Sequence, residues 1–236
     1  MDRRPLYDEF KGCKGILLDF GGTLDSDGEH WLDRFYDLYE KEGVDVSREE
    51  IKRVFYRADA LCCGDPFVSG LGLRALMRHH VRLQLEELGR SVPAWEEPLV
   101  EGFCSRTESF LRRNALLLAR LRERFLLGVV SNFYGNVAVL CQEAGLSPWL
   151  DVILDSTRVG VCKPDPGIFR MALDGLGLEP AEAVFVGDSY ERDMMPARKM
   201  GMRTIWMKGP RPRILRDAEP VDGCISNLTD LELLLT

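Results

Sequence analysis

The chain has 236 residues, 45% hydrophobic and 29% charged, with a net charge of −7: a soluble globular protein, not a nucleic-acid binder with a concentrated basic face. Seven cysteines without a C-x-x-C, two of them adjacent at Cys62-Cys63, exclude a disulfide framework or a zinc pattern and suit reduced thiols. No stretch reaches transmembrane length and the opening MDRRPLYDEF has no apolar signal segment, so no membrane association and a cytoplasmic location are expected.

In chain order, the first element is a short apolar strand, Gly15 to Phe20, which delivers Asp19 into the turn DFGGTLD. Helical patterns follow. Trp31, Phe35 and Leu38 recur at helical spacing, Ser47-Arg-Glu-Glu50 is a capping box, and Leu71–Leu88 and Glu101–Arg113 read as further helices. This run is too long for a loop. It predicts a helical second domain over residues 26–115, inserted into an α/β core made of 1–25 and 116–236. Its connections, Ser26-Asp27-Gly28 and residues 113–116, are expected to flex as the hinges of a lid.

Four more strands are predicted at Leu126–Asn132, Val152–Asp155, Ala183–Asp188 and Arg203–Met207. The helices between them are predicted at Asn136–Ala144, Pro166–Leu176 and Glu191–Met200. Strands alternating with helices make a doubly wound parallel sheet. Lys208–Pro220 reads as an irregular surface loop.

Ligands of such sheets bind beyond the carboxyl ends of the strands. The residues expected there are Asp19, Ser131, Asn132, Lys163, Asp188 and, one helical turn on, Asp193. They combine a nucleophile, a hydroxyl donor, a cation and carboxylates, which suits a phosphoryl group. Lys163 and the helix N-terminus after Ser131 would neutralise its oxygens. Asp19 and Asp188 would hold a hard cation such as Mg²⁺. Taken singly, each has a plainer reading: Asp19 as a turn cap, Ser131-Asn132 as a strand-to-helix cap, Lys163 as a surface lysine. Asp188 and Asp193 are acids of the kind favoured in a first helical turn. His79-His80 face different sides of a helix, and Met194, Met195, Met200 and Met202 read as core.

Four segments in order, DFGGTLD, VVSNFYGN, VGVCKPDPGIF and FVGDSYERDM, resemble the motifs of the haloacid dehalogenase superfamily. The helical insertion stands where that family's subclass-one cap stands. The resemblance spans essentially the whole chain. It implies Asp19 as nucleophile, Ser131 and Asn132 as phosphate ligands and Lys163 as charge clamp. It also implies Mg²⁺ held by Asp19, the Gly21 carbonyl, Asp188 and Asp193, and a small phosphorylated substrate.

The chain departs from the family's D-x-D pattern at Gly21, where the second aspartate would act as acid and base. Loss of such a group costs about 10²–10⁴-fold in rate. Asp25 is the first candidate to replace it, with Asp27 and Glu29 behind. A positive φ at Gly21 would penalise restoring the aspartate. The expected function is a Mg²⁺-dependent phosphomonoester hydrolase working through an aspartyl-phosphate. The alternatives are a catalytically weakened phosphate-binding protein, a dehalogenase, or a phosphonatase using a lysine such as Lys52. Trp31, Arg57 and Phe67 are cap residues that could face the substrate.

Overall fold

The computed structural model describes residues 9–90, 92–210 and 221–235. Among them, six strands form one parallel sheet in the order β3-β2-β1-β4-β5-β6. These are β1 (Gly15–Leu18), β2 (Leu126–Ser131), β3 (Val152–Asp155), β4 (Ala183–Gly187), β5 (Arg203–Met207) and β6 (Gly223–Ile225). Strands β1 and β4 are buried throughout, as apolar strands covered by helices on both faces must be. The chain runs outward from β1 in both directions, so a crevice opens above β1, between β2 and β4. The sixth strand was not predicted; three residues are too few to show a period.

Four helices lie between β1 and β2: α1 (Trp31–Lys41), α2 (Arg48–Cys62), α3 (Leu73–Glu87) and α4 (Val92–Leu121). The capping box of α2 forms as read, with Ser47 and Glu50 satisfying each other's backbone N–H groups. The interior of this insertion is aromatic. Phe35 stacks on Phe103 with centroids 5.2 Å apart and on His80 at 5.6 Å.

Helix α4 corrects the sequence reading. It is one unbroken element of 30 residues, about 45 Å long. The boundary placed between residues 115 and 116 falls inside it. Asn114, one residue past the helix read over Glu101–Arg113, is fully buried and donates its side-chain amide to the Leu24 carbonyl at 2.8 Å. The other connection is pinned too. Arg113 grips Asp27 with two hydrogen bonds of 2.7 and 2.8 Å, and the Leu228 N–H donates to the same carboxylate. Gly28 lies against the Gly209 backbone. Both connections are thus held by hydrogen bonds or close backbone packing in this state.

Beyond β2 the chain forms α5 (Val137–Glu143), α6 (Ser156–Val159), α7 (Pro166–Leu176), α8 (Met195–Lys199) and α9 (Asp230–Leu235). Helix α7 matches its reading, with Asp165 capping the Gly167 N–H and Gly177 closing it at φ 65°. The helix expected over 191–200 divides into a wide turn, Tyr190–Met194, and the short α8. Pro196 offers no N–H to carry a continuous ladder through it. The loop expected over 208–220 lies outside the described residues from 211 onward. No described helix is long and apolar enough to cross a membrane.

Candidate active site

Asp19 leaves the end of β1 with its N–H bonded to the Val186 carbonyl at 2.9 Å, so both flanking strands fix where it points. The Ser131 hydroxyl, from the end of β2, donates to Asp19 Oδ1 at 2.8 Å. The Lys163 ammonium lies 2.9 Å from the same oxygen and 2.6 Å from Asp193 Oδ1. Burial alone would depress the pKa of Lys163. The two carboxylates outweigh burial and hold it above the usual lysine value, so the side chain is a fixed cation. Burial pushes the Asp193 carboxyl up to about 6 despite Lys163.

Asp19, Asp188 and Asp193 each offer an oxygen, and the three oxygens lie within 4.8 Å of one another. All three residues are buried. Asp188 sits against the turn after β1 because residue 22 is glycine. At Gly22, with φ 80°, a Cβ would stand 2.7 Å from the Asp188 carboxyl carbon. Asp193 is locked from the other side, with Oδ2 accepting from the Ser189 N–H at 3.0 Å. Lys163 pairs with two of these carboxylates, Asp19 and Asp193, and the cluster gathers oxygen donors of the kind a hard divalent cation takes. Gly21 also lines this site.

The centre opens into a cavity of about 820 Å³ between the core and the insertion. Core residues Ser131, Asn132, Phe133 and Tyr134 form one side. Trp31, Phe55, Tyr56 and Asp59, from α1 and α2, form another.

Several expectations are corrected here. Asn132 lines the cavity, but both ends of its amide are committed to the Lys163 backbone. It donates to the Lys163 carbonyl at 2.8 Å and accepts from the Lys163 N–H at 2.7 Å. Its side chain therefore positions Lys163 rather than presenting a free amide to phosphate. The helix N-terminus after Ser131 is also taken. Asp155 Oδ2 accepts from the N–H groups of Gly135 and Val137, at 2.9 and 3.1 Å.

Asp25 does not reach the cavity. It is fully buried, accepting from the Gly22 N–H at 2.7 Å and from the Trp31 indole N–H, with Arg34 alongside at 3.3 Å. Burial raises its pKa, and those three partners pull the other way. Its carboxylate has no route to a leaving group. Asp27 and Glu29 are spent on Arg113 and Arg106. Gly21 itself has φ −72° and ψ 126°, so the positive φ belongs to its neighbour.

Of the named cap residues, Trp31 lines the cavity and Arg57 and Phe67 do not. Tyr134 and Asp59 were missed. Their hydroxyl–carboxylate bond, 2.5 Å long, joins residues 75 apart in sequence, and no local pattern carries it.

The haloacid dehalogenase-like hydrolase family matches residues 13–201. A phosphoserine phosphatase of Thermus thermophilus is 33% identical over 84% of this chain and 90% of its own length. A haloacid dehalogenase-like hydrolase domain-containing protein 3 of Bos taurus is 37% identical over 107 residues. The match spans 44% of this chain and under half, 43%, of that relative. Among solved structures, a 2-haloacid dehalogenase of Pseudomonas syringae superposes with a TM-score of 0.51 at 25% identity, covering 94% of this chain and 97% of the other.

Proposed function

Because the chain belongs to the haloacid dehalogenase-like hydrolase family, we propose that it is a Mg²⁺-dependent phosphomonoester hydrolase acting on a small phosphorylated molecule. The observation that carries this reading is the three-carboxylate cluster of Asp19, Asp188 and Asp193, with the buried Lys163 paired to the first and the last. Displacing a halide needs no such oxygen cluster. Attack by an anion on a phosphate dianion does, because like charges must be shielded. The named relative from Thermus, a phosphoserine phosphatase, supports the same side.

In this mechanism Asp19 Oδ attacks phosphorus, and the bond from phosphorus to the ester oxygen breaks. The phosphoryl group is carried on Asp19 until water attacks the phosphorus and releases inorganic phosphate. Ser131 turns its hydroxyl from Asp19 to a phosphoryl oxygen, and Lys163 neutralises another. Asp19, Asp188, Asp193 and the Gly21 carbonyl would hold Mg²⁺, which supplies charge shielding when bound. The departing alkoxide takes its proton from water, because Gly21 offers none and Asp25 is sealed away. Esters with good leaving groups are therefore the better substrates.

The helical insertion acts as the cap that covers the leaving group. Its lining includes no lysine among the described residues, and Lys52 is exposed outside the cavity. A Schiff-base phosphonatase has no amine to use there. The weakened phosphate-binding reading is favoured by one observation, the bare Gly21. A screen of phosphorylated metabolites with Mg²⁺, an aryl phosphate, a 2-haloacid and a phosphonate decides among these. Phosphate release that is lost on chelation, and lost in folded Asp19→Asn protein, is expected. Turnover of the haloacid alone would overturn it.

A further inference from the structure

We infer that the insertion carries a subsite for a positively charged group, so that the substrate is the phosphate ester of an amino alcohol, bearing an ammonium on the leaving-group side. For the anionic end of the ligand this rests on the reading just given; the subsite itself is argued from different residues.

Its centre is Asp59, on α2. Tyr134 donates to one oxygen of this carboxylate at 2.5 Å and so fixes it. The other oxygen has no hydrogen-bond or ion-pair partner among the described residues. Asp59, Phe55, Tyr56 and Tyr134 all line the cavity. The Phe55 and Tyr56 rings lie edge to face, 5.3 Å apart. A carboxylate among aromatic faces is the chemistry that binds an ammonium, by Coulomb attraction to the charge and by ring quadrupoles that act even where a quaternary nitrogen has no N–H.

The charge pattern of α2 agrees. Its basic residues point elsewhere: Arg53 pairs with Glu87 at 2.6 Å, and Lys52 and Arg57 are exposed outside the cavity lining. Among the described residues, the insertion contributes no lysine or arginine to the cavity. A leaving group carrying a carboxylate or second phosphate at this spot would meet Asp59 and be repelled. Tyr134 is only three residues beyond Ser131, a reach of about 10 Å along the chain. The cavity therefore has a hydroxyl and cations at Ser131, Lys163 and Arg192 to meet the phosphate, and a carboxylate at Asp59 to meet an ammonium.

The test is binding, so that it does not depend on turnover. Full-length Asp19→Asn protein with Mg²⁺ is titrated calorimetrically with phosphocholine, phosphoethanolamine and 3,3-dimethylbutyl phosphate, the uncharged isostere of phosphocholine. The cationic esters are expected to bind at least about tenfold tighter than the isostere. Adding Asp59→Asn, which can still accept from Tyr134, is expected to remove most of that difference. Equal affinities in the Asp19→Asn protein, or no measurable binding of any ester, would overturn the subsite, whether or not the double variant folds. Charge selectivity without any turnover of an aryl phosphate by the native protein would instead overturn the hydrolase reading and leave the subsite standing.

Discussion

Asp25 and Arg34 form an ion pair 3.3 Å apart with both side chains out of contact with solvent. The pair ties the turn after β1 to the insertion. Asp25 holds the Gly22 N–H at 2.7 Å. Arg34 reaches the Phe103 carbonyl at 3.0 Å and the Thr107 hydroxyl, and its guanidinium lies 3.8 Å over the Phe103 ring. The turn carrying Asp19 is therefore braced against α1 and α4 together. Breaking one half leaves a buried charge alone, which costs about 3–5 kcal/mol. Arg34→Met is expected to lose stability of that order in urea denaturation. Asp25→Asn is expected to slow aryl and alkyl phosphates by similar factors, because it loosens the turn. A loss confined to alkyl phosphates would show that Asp25 is an acid after all.

Restoring the missing carboxylate is sterically open. Gly21 has ordinary extended φ and ψ, and a Cβ there would meet Phe133 at 3.9 Å and the Trp31 indole nitrogen at 4.0 Å, which is normal contact. Gly21→Asp is therefore expected to fold. It should gain about 10²-fold or more on alkyl phosphates and little on aryl phosphates, whose leaving group needs no proton. Steady-state kinetics on the two ester classes checks this. No gain on alkyl esters in a folded variant would mean that proton delivery does not limit the rate.

Metal binding should follow Asp188. It is one of three buried carboxylates at the centre, and Gly22 lets it approach the turn. Asp188→Ala is expected to weaken Mg²⁺ binding at least about tenfold, with activity falling alongside. Calorimetry on the folded variant reads the first and phosphate release the second. Unchanged Mg²⁺ affinity would remove Asp188 from the ligand set.

His80 predicts a pH dependence of stability. It is fully buried, its Nδ1 lies 2.8 Å from the Gln84 amide nitrogen, and burial drives its pKa from 6.5 down to about 3. Between those values the unfolded chain binds a proton that the folded chain refuses. The contribution is present above pH 6.5 and is lost as pH falls towards 3. At pH 5 this one residue should cost about 2 kcal/mol relative to pH 7. His80→Gln is expected to flatten that part of the urea-midpoint profile. An unchanged profile would assign the loss to other groups.

Local chemistry was legible in the sequence. Apolar runs ending in polar residues marked five of the six strands, and Asp165-Pro166 with Gly177 marked both ends of α7, because strand burial and helix capping act over a few neighbouring residues. The same locality put Asp19, Ser131 and Asp188 at or just beyond strand ends, Lys163 in the segment before α7 and Asp193 a turn past Asp188, and a parallel sheet gathers its strand ends on one edge. What tertiary structure alone decided is how each polar side chain spends its bonds. Asn132 is turned onto Lys163, Asp155 takes the N–H groups before α5, and Asn114 continues α4 by bonding Leu24. Asp25 and Asp59 are both carboxylates near the site by sequence or by contact. Arg34 and the Trp31 indole close over the first, while the second keeps an oxygen toward the cavity. A carboxylate's role depends on which partners reach it and whether water does, and both are fixed only when segments tens of residues apart pack together.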